Sequence, residues 1–183
     1  MKLVLIDRDG VLNVDRADYV KNPGELVLLP GAGAALARLN AAGILVAVCT
    51  NQSPIGRGMF DEAMLDRIHA KLRDELAREG GRLDAIFHCP DAPGRPSRCR
   101  KPAPGMLTDA LQRFGASARE TPFVGDNVTD MQAAAAIGCP RHLVRTGHGK
   151  RTLADGLPPE TLPIAVHETF ADAVEALLAG RSA

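Results

Sequence analysis

The chain has 183 residues, of which 45% are hydrophobic and 24% are charged, as in an ordinary globular domain. Its 22 Lys and Arg residues balance 22 Asp and Glu residues, so net charge gives no reason to expect nucleic acid or an anionic membrane as a partner. Aromatic residues make up only 3% and Trp is absent, which also disfavours a surface that stacks nucleic-acid bases.

Apolar runs alternate with helical patterns from the start of the chain. KLVLI (2–6) predicts a buried strand, and a helical stretch follows it, opened by Pro30 and closed by Gly43. ILVAVCT (44–50) predicts the second strand. Asp61 is then a candidate N-cap for a long amphipathic helix. The apolar residues of that helix fall on one face: Met64, Leu65, Ile68, Leu72 and Leu76.

The second half of the chain continues the alternation. AIFHC (85–89) predicts a third strand, a helix is expected from Pro104 to about Phe114, and PFVGD (122–126) predicts a fourth strand. Further helices are expected at 129–137 and 169–179, and further strands at 141–145 and 162–166. This order predicts an α/β fold in one domain over residues 1–183, a doubly wound, mostly parallel sheet with helices on both faces.

Polar residues follow four of these segments, at DRDG (7–10), TNQS (50–53), RKP (100–102) and GDN (125–127). An isolated Asp-x-Asp-Gly is more often turn chemistry, and each of the others also occurs as an ordinary polar loop. Ligands of open parallel sheets bind beyond the carboxyl ends of the strands, so we expect the four segments to meet there. Acids, a hydroxyl and a lysine together are the groups that move a phosphoryl group.

In this order the four segments resemble the motifs of the haloacid-dehalogenase-like phosphohydrolases. TNQSPIGRG, CRKPAPGM, DMQAA and LVRTG are similar, more narrowly, to the D-glycero-D-manno-heptose 1,7-bisphosphate 7-phosphatases. The histidinol-phosphate phosphatases share the motif skeleton and are the nearest alternative. The resemblance implies a phosphatase that removes the C7 phosphate of a sugar bisphosphate through an aspartyl-phosphate.

The resemblance also implies roles for the catalytic residues. Asp7 would attack phosphorus, Asp9 would act as general acid and base, and Thr50 and Lys101 would hold the phosphoryl oxygens. Mg²⁺ would be bound by Asp7, by the backbone carbonyl of Asp9 and by Asp126. Close carboxylates resist joint ionisation, so one of the first two acids is expected to hold a proton near neutral pH.

No separate cap domain fits between the motifs, so loops 13–24, 51–60 and 89–101 are expected to select the substrate. Arg100 suits a second phosphate, because a guanidinium binds phosphate in a forked manner. Asn127 stands where closer relatives often carry Lys. The predicted substrate-binding residues are Asp15, Tyr19, Thr50, Asn51, Gln52, Ser53, Arg100, Lys101 and Asn127.

A structural zinc is a further implication of the resemblance, since relatives often hold one with Cys-x-His and Cys-x-Cys before the Arg-Lys pair. Here Asp91 stands in place of His and Ser97 in place of a Cys. The remaining candidate ligands are Cys89, Asp91 and Cys99. Structural zinc almost always takes four ligands, mostly thiolate and imidazole, so we expect no zinc. Pro90, Pro93 and Pro96 are expected to stiffen this loop without a metal.

The four cysteines are spread along the chain and indicate no disulfide framework. The segment MKLVLID contains no run long enough for a signal peptide or a membrane span. We therefore expect a cytoplasmic monomer that acts on a small sugar bisphosphate.

Other classes of protein fit less well. A signalling receiver domain also uses Asp, Mg²⁺, Thr and Lys, but its phospho-acceptor lies on a middle strand, apart from its acidic pair. GAGAAL (31–36) lacks the third glycine of a dinucleotide site, and GHGK (147–150) lacks the upstream glycine of a P-loop. DRDG is not an EF-hand, because its glycine comes too early. His69 and His142 are expected to be packed or solvated rather than catalytic.

Overall fold

The computed structural model describes residues 1–94 and 97–180. All six strands join one parallel sheet in the order β3-β2-β1-β4-β5-β6. Their bounds are β1 Leu3–Ile6, β2 Leu45–Asn51, β3 Ala85–Cys89, β4 Phe123–Gly125, β5 Arg141–Val144 and β6 Ala165–His167. The predicted doubly wound α/β sheet is confirmed.

Seven helices connect the strands of the described chain, besides three short 3-10 turns. They are α1 Ala32–Ala41, α2 Ser53–Gly56, α3 Glu62–Arg78, α4 Gly105–Phe114, α5 Val128–Ala136, α6 Gly149–Asp155 and α7 Phe170–Ala179. The Asp61 side chain accepts a hydrogen bond from the Met64 N–H, which confirms the predicted N-cap of α3.

Alternation along β1 divides the core between the two faces of the sheet. Val4 and Ile6 pack with α1, α3 and α7, whereas Leu3 and Leu5 pack with α4 and α5. All four side chains are fully buried. A strand that is buried on both faces has a continuous apolar sequence, which is why β1 could be predicted from the sequence.

Four features differ from the sequence-based expectations. The helices α2 and α6 were not predicted, because both are too short to show an apolar period. Strand β6 begins at Ala165 rather than at residue 162. The fourth difference is covalent: Cys89 and Cys99 form a disulfide, so the expectation that no cysteines pair was wrong.

The direction of the sheet order reverses between β1 and β4, and this point positions the site. Both strands run the same way, and the Asp7 N–H donates to the Val124 carbonyl at 2.9 Å. The crevice beyond the carboxyl ends of β1 and β4 is therefore the place where such a fold binds ligands.

The described residues contain no inserted cap domain, as expected. Between β1 and α1 the chain forms only an irregular flap with the 3-10 turn Pro23–Glu25, and α2 and α3 occupy the connection from β2 to β3. No helix of the described chain has both the length and the apolar character that a membrane span requires. One domain over residues 1–183 stays a prediction.

Candidate active site

A cavity of about 280 Å³ opens at the carboxyl ends of the strands. It is lined by every residue predicted for catalysis, substrate binding or Mg²⁺ except Gln52. Four lining residues were not among those predicted: Pro93, Thr129, Asp130 and His148. The sheet therefore brings the four polar segments together as the strand order requires.

Three carboxylates and one ammonium group form the floor of the cavity. One ligand oxygen each of Asp7, Asp126 and Asp130 lies within 4.8 Å of the others. Lys101 is buried beside them, with its Nζ 3.0 Å from Asp7 Oδ1 and 2.7 Å from Asp130 Oδ1. Asp130 also accepts hydrogen bonds from the N–H groups of Asp126 and Asn127, so it joins the lysine to the start of α5.

The electrostatics of this floor suit a bound cation. Burial, opposed by Lys101 and supported by the nearby Asp130 and Asp9, raises the pKa of Asp7 to about 7. Burial and the neighbouring Asp130 and Asp7 likewise raise the pKa of Asp126 well above its usual value. Burial would lower the pKa of Lys101, but Asp130 and Asp7 together raise it. Three carboxylates facing one ammonium group fit a divalent metal ion with oxygen ligands.

Asp9 lies in a different environment from Asp7. Burial would raise its pKa, but the Arg8 guanidinium and hydrogen bonds from Asn13, Arg8 and Gln52 hold the pKa below its usual value. Of the two motif carboxyl groups, Asp7 is therefore the one whose pKa is raised towards neutral pH. The expectation of one raised pKa holds, and it belongs to the predicted nucleophile.

Two glycines allow the backbone to close around Asp126. A Cβ on Gly10 would lie 2.1 Å from Asp126 Oδ2, and one on Gly147 would lie 2.0 Å from the same atom. Both residues have positive φ values, of 78° and 54°. The same oxygen accepts a hydrogen bond from the His148 N–H at 2.7 Å. Asp126 is thus fixed by segments that follow β1, β4 and β5.

A family model described as HAD-hydrolase-like matches residues 98–173, which include Lys101, Asp126 and Asp130. The D-glycero-beta-D-manno-heptose-1,7-bisphosphate 7-phosphatase of Bordetella bronchiseptica is 47% identical over 178 residues, 97% of this chain and 98% of that protein. The enzyme of that name from Pseudomonas aeruginosa is 44% identical and covers 96% of this chain and 97% of its own length.

A crystal structure of the D,D-heptose 1,7-bisphosphate phosphatase from B. bronchiseptica, complexed with magnesium and phosphate, matches the fold with a TM-score of 0.93. It is 46% identical and covers 98% of this chain and 99% of that one. This chain belongs to the haloacid-dehalogenase-like phosphatases. It is therefore a phosphatase, and the resemblance seen in its motifs is confirmed.

The TNQS segment of this phosphatase forms hydrogen bonds with other residues of the site. Asn51 Nδ2 donates to the Lys101 carbonyl at 3.1 Å, and its Oδ1 accepts from the Lys101 N–H at 3.0 Å. Gln52 is buried and turned away from the cavity, where its Nε2 donates to Thr50 Oγ1 at 2.9 Å and to Asp9 Oδ2 at 3.0 Å. Gln52 thus contacts the side chains of Thr50 and Asp9 and does not line the cavity in which it was predicted to bind substrate.

The flap after β1 reaches across the cavity. Asp15 Oδ2 lies 2.9 Å from His148 Nε2, which links the flap to α6. Burial and the nearby Asp9, opposed by His148, raise the pKa of Asp15. Tyr19 adopts a left-handed backbone with a φ of 65° and lines the cavity. Sequence reasoning missed His148, because it lies three residues beyond the predicted strand 141–145, in a segment without a complete phosphate-binding motif.

The loop before Arg100 is closed by the disulfide between Cys89 and Cys99. Ser97 Oγ donates to Asp91 Oδ2 and accepts from the Arg100 N–H at 2.9 Å. The ligand atoms of Cys89, Asp91 and Cys99 lie within 4.8 Å of one another, a spacing that would also allow a metal ion. Sulfurs bonded to each other present no thiolate, so the disulfide and a structural zinc exclude each other, and the expectation of no zinc stays a prediction. Of the three prolines expected to stiffen the loop, Pro96 lies outside the described residues.

Proposed function

We propose that this phosphatase hydrolyses the C7 phosphate of D-glycero-D-manno-heptose 1,7-bisphosphate. The observation that carries the proposal is the buried group of Asp7, Asp126, Asp130 and Lys101 at the reversal of the sheet order. The names of the relatives from B. bronchiseptica and P. aeruginosa support this choice of substrate.

Asp7 is the proposed nucleophile. Its Oδ1 lies 2.7 Å from the Arg8 N–H and 3.0 Å from Lys101 Nζ, and we assign the attack on phosphorus to Oδ2. The attack would form an aspartyl-phosphate and release the sugar oxygen, and water would then hydrolyse the acyl phosphate. Lys101 and Thr50 would bind the phosphoryl oxygens. The positive charge of Lys101 and the hydroxyl of Thr50 would stabilise the transition state.

Mg²⁺ is the proposed cofactor. Asp7, the backbone carbonyl of Asp9 and Asp126 would hold it, and the related structure from B. bronchiseptica was solved with magnesium and phosphate. When bound, the ion would neutralise charge on the phosphoryl group. It would also favour the ionised form of Asp7, which is the form that can attack.

Asp9 is the proposed general acid and base. It lies two residues after Asp7 and lines the same cavity. It would give a proton to the departing sugar oxygen and take one from the hydrolytic water. The hydrogen bonds that it accepts favour its ionised form, so Asp9 would have to bind a proton before it can act as the acid. The ionised form that remains after this step would then take a proton from the hydrolytic water.

The uncleaved phosphate is assigned to Arg100. The Arg100 guanidinium lies at the cavity wall, and its Nη1 donates to the Asp91 carbonyl at 3.0 Å, which leaves further N–H groups for an anion. The flap residues Asp15 and Tyr19, with Ser53 and Asn127, would contact the sugar.

The first experiment replaces Asp7 with Asn, since an amide is no nucleophile. We expect turnover of the bisphosphate to be lost, whereas the surface variant Asp172→Asn should keep it. EDTA should silence the wild-type enzyme and Mg²⁺ should restore it. Full activity of Asp7→Asn would contradict the mechanism.

The second experiment tests the substrate. Phosphate release is measured with the heptose 1,7-bisphosphate, the corresponding monophosphate and histidinol phosphate. We expect the bisphosphate to be preferred and Arg100→Ala to reduce that preference. Arg98 is the matched control, because its guanidinium binds Asp109 at 2.9 Å instead. An unchanged preference in Arg100→Ala would exclude the assigned role, and histidinol phosphate as the best substrate would exclude the heptose assignment.

A further inference from the structure

Arg8 is the bulkiest of the fully buried side chains, with 1% of its surface exposed. It stands between the two motif carboxylates in sequence but does not line the cavity. A buried charge without partners costs several kcal/mol, so its partners show what the residue does.

The guanidinium of Arg8 binds the Asp9 carboxylate through two of its nitrogens. Nη2 lies 2.8 Å from Oδ2 and 2.9 Å from Oδ1, and Nε lies 3.3 Å from Oδ1. A forked contact of this kind fixes both the position and the rotation of a carboxylate.

His69 lies behind the guanidinium. Its Nε2 is 3.4 Å from Arg8 Nη1 and acts as the acceptor, because a guanidinium only donates. Burial and the positive charge of Arg8 lower the pKa of His69 to about 3, which is consistent with a neutral ring in this contact. The imidazole of His69, on α3, therefore accepts a hydrogen bond from Arg8 on the side of the guanidinium away from Asp9.

Two amides complete the support of Asp9. Asn13 Nδ2 donates to Oδ1 at 2.8 Å and Gln52 Nε2 donates to Oδ2 at 3.0 Å. Each oxygen of the carboxylate thus receives hydrogen bonds from Arg8 and from one amide.

Stability alone does not account for this arrangement. A buried ion pair is often no more stabilising than apolar residues of the same volume. Contact with a substrate phosphate does not account for it either, because Arg8 is enclosed and turned to Asp9 and His69. Proton transfer, in contrast, requires a group held within hydrogen-bond reach of the reacting oxygen.

We propose that Arg8 is a positioning residue, which holds Asp9 in place for proton transfer and is itself held by His69. The inference rests on the proposed function, in which Asp9 is the general acid and base.

The test compares Arg8→Lys and Arg8→Met with Asp9→Asn and with the double variant Arg8→Met/Asp9→Asn. Asp9→Asn should lower kcat by about 10²–10⁴-fold. We expect kcat to fall roughly tenfold in Arg8→Lys and about 10²-fold in Arg8→Met, with KM nearly unchanged, since misplacement of a reacting group has effects of this size. In the Asp9→Asn background, Arg8→Met should have no further effect on kcat.

The matched control is Arg141→Met. Arg141 lies at the start of β5 and donates to the Cys139 carbonyl at 2.8 Å and to the Pro163 carbonyl at 3.2 Å, away from the cavity, so its loss should change the melting temperature without changing kcat. Melting temperatures of all variants separate a loss of fold from a loss of rate.

The outcomes separate the two proposals. An active Asp9→Asn enzyme would overturn the role of Asp9 in the proposed function. An inactive Asp9→Asn with a fully active Arg8→Met would overturn only the positioning role. Equal losses from Arg8→Met in both backgrounds would show that Arg8 acts through the fold instead.

If no Arg8 variant folds, a crystal structure of the wild-type enzyme with Mg²⁺ and orthophosphate decides the question. Arg8 Nη2 within hydrogen-bond distance of Asp9 supports the proposal, and a separated pair overturns it.

Discussion

Asp130 shows how one side chain serves both the fold and the site. Its Oδ2 accepts hydrogen bonds from two N–H groups at the start of α5, while its Oδ1 lies 2.7 Å from Lys101 Nζ. A helix cap is usually exposed, whereas this one is fully buried. The residue therefore supports a helix end and an active-site charge at once.

Asp130→Asn should lower both stability and turnover. The amide keeps an acceptor for the helix but leaves Lys101 with one carboxylate fewer, and breaking a buried ion pair costs up to about 3–5 kcal/mol. Melting temperature and kcat are the measurements.

Asp172 provides the matched control for this variant. It completes the same kind of capping box at the start of α7, on the surface, with Thr169. Asp172→Asn should lower stability by about 1 kcal/mol and leave kcat unchanged. Unchanged turnover in Asp130→Asn would show that Asp130 serves only the fold.

The raised pKa of Asp7 predicts how the stability of the metal-free protein depends on pH. Because the pKa of about 7 in the folded state exceeds the ordinary value of 3.8, the folded state binds more protons than the unfolded state between these values. The free energy of unfolding should therefore fall as pH rises through this window, by at most about 1.4 kcal/mol per pH unit for one group.

Denaturant titrations between pH 4 and 8 in EDTA measure this dependence. The slope should be smaller in Asp7→Asn, since that group no longer titrates. Mg²⁺ binds ionised carboxylates, so its stabilising effect should be larger near pH 7.5 than near pH 5. Equal slopes in the two proteins would contradict the pKa shift of Asp7.

At the scale of elements, the loop between β3 and α4 is closed by a disulfide, where a structural zinc was considered from the sequence. The disulfide joins the end of β3 to Cys99, directly before the Arg100–Lys101 pair. It therefore fixes the segment that carries both proposed phosphate-binding cations.

Reduction of this disulfide should destabilise the protein. Its sulfurs are 10 residues apart in sequence, and disulfides typically contribute about 2–4 kcal/mol. A phosphine reductant should lower the melting temperature of the wild-type protein but not that of Cys89→Ser/Cys99→Ser. The buried thiols Cys49 and Cys139 are present in both proteins and act as an internal control.

Elemental analysis of the same samples should find no stoichiometric zinc. One zinc per chain in the wild type, lost when Cys89 or Cys99 is replaced, would contradict both the disulfide and the expectation of a loop without metal.

At the scale of the whole molecule, the surface predicts a monomer. The exposed large hydrophobic residues of the described chain are few and only partly exposed: Val14, Val27, Met59, Leu162 and Val166. Stable obligate interfaces need a large continuous apolar area. Sedimentation equilibrium at micromolar concentration should give a mass near 19.4 kDa, and a concentration-independent dimer would contradict this expectation.

The sequence by itself determined the elements and the positions of the motifs. The apolar run Leu3–Ile6, the cap at Asp61 and the glycine that ends α1 are local signals, each read within one turn or one strand. Because parallel strands end at one edge of the sheet, the same signals also predicted that Asp7, Thr50, Lys101 and Asp126 would meet.

Only the tertiary structure decided which groups touch and what each contact does to charge. Asp7 and Asp9 are near neighbours in sequence, yet burial raises the pKa of the first while Arg8, Asn13 and Gln52 lower that of the second. The contact of Gln52 with Asp9 and the contact of Arg8 with His69 each join segments that are distant in sequence. Such pairings arise from packing across the chain, so no local pattern of residues could have predicted them.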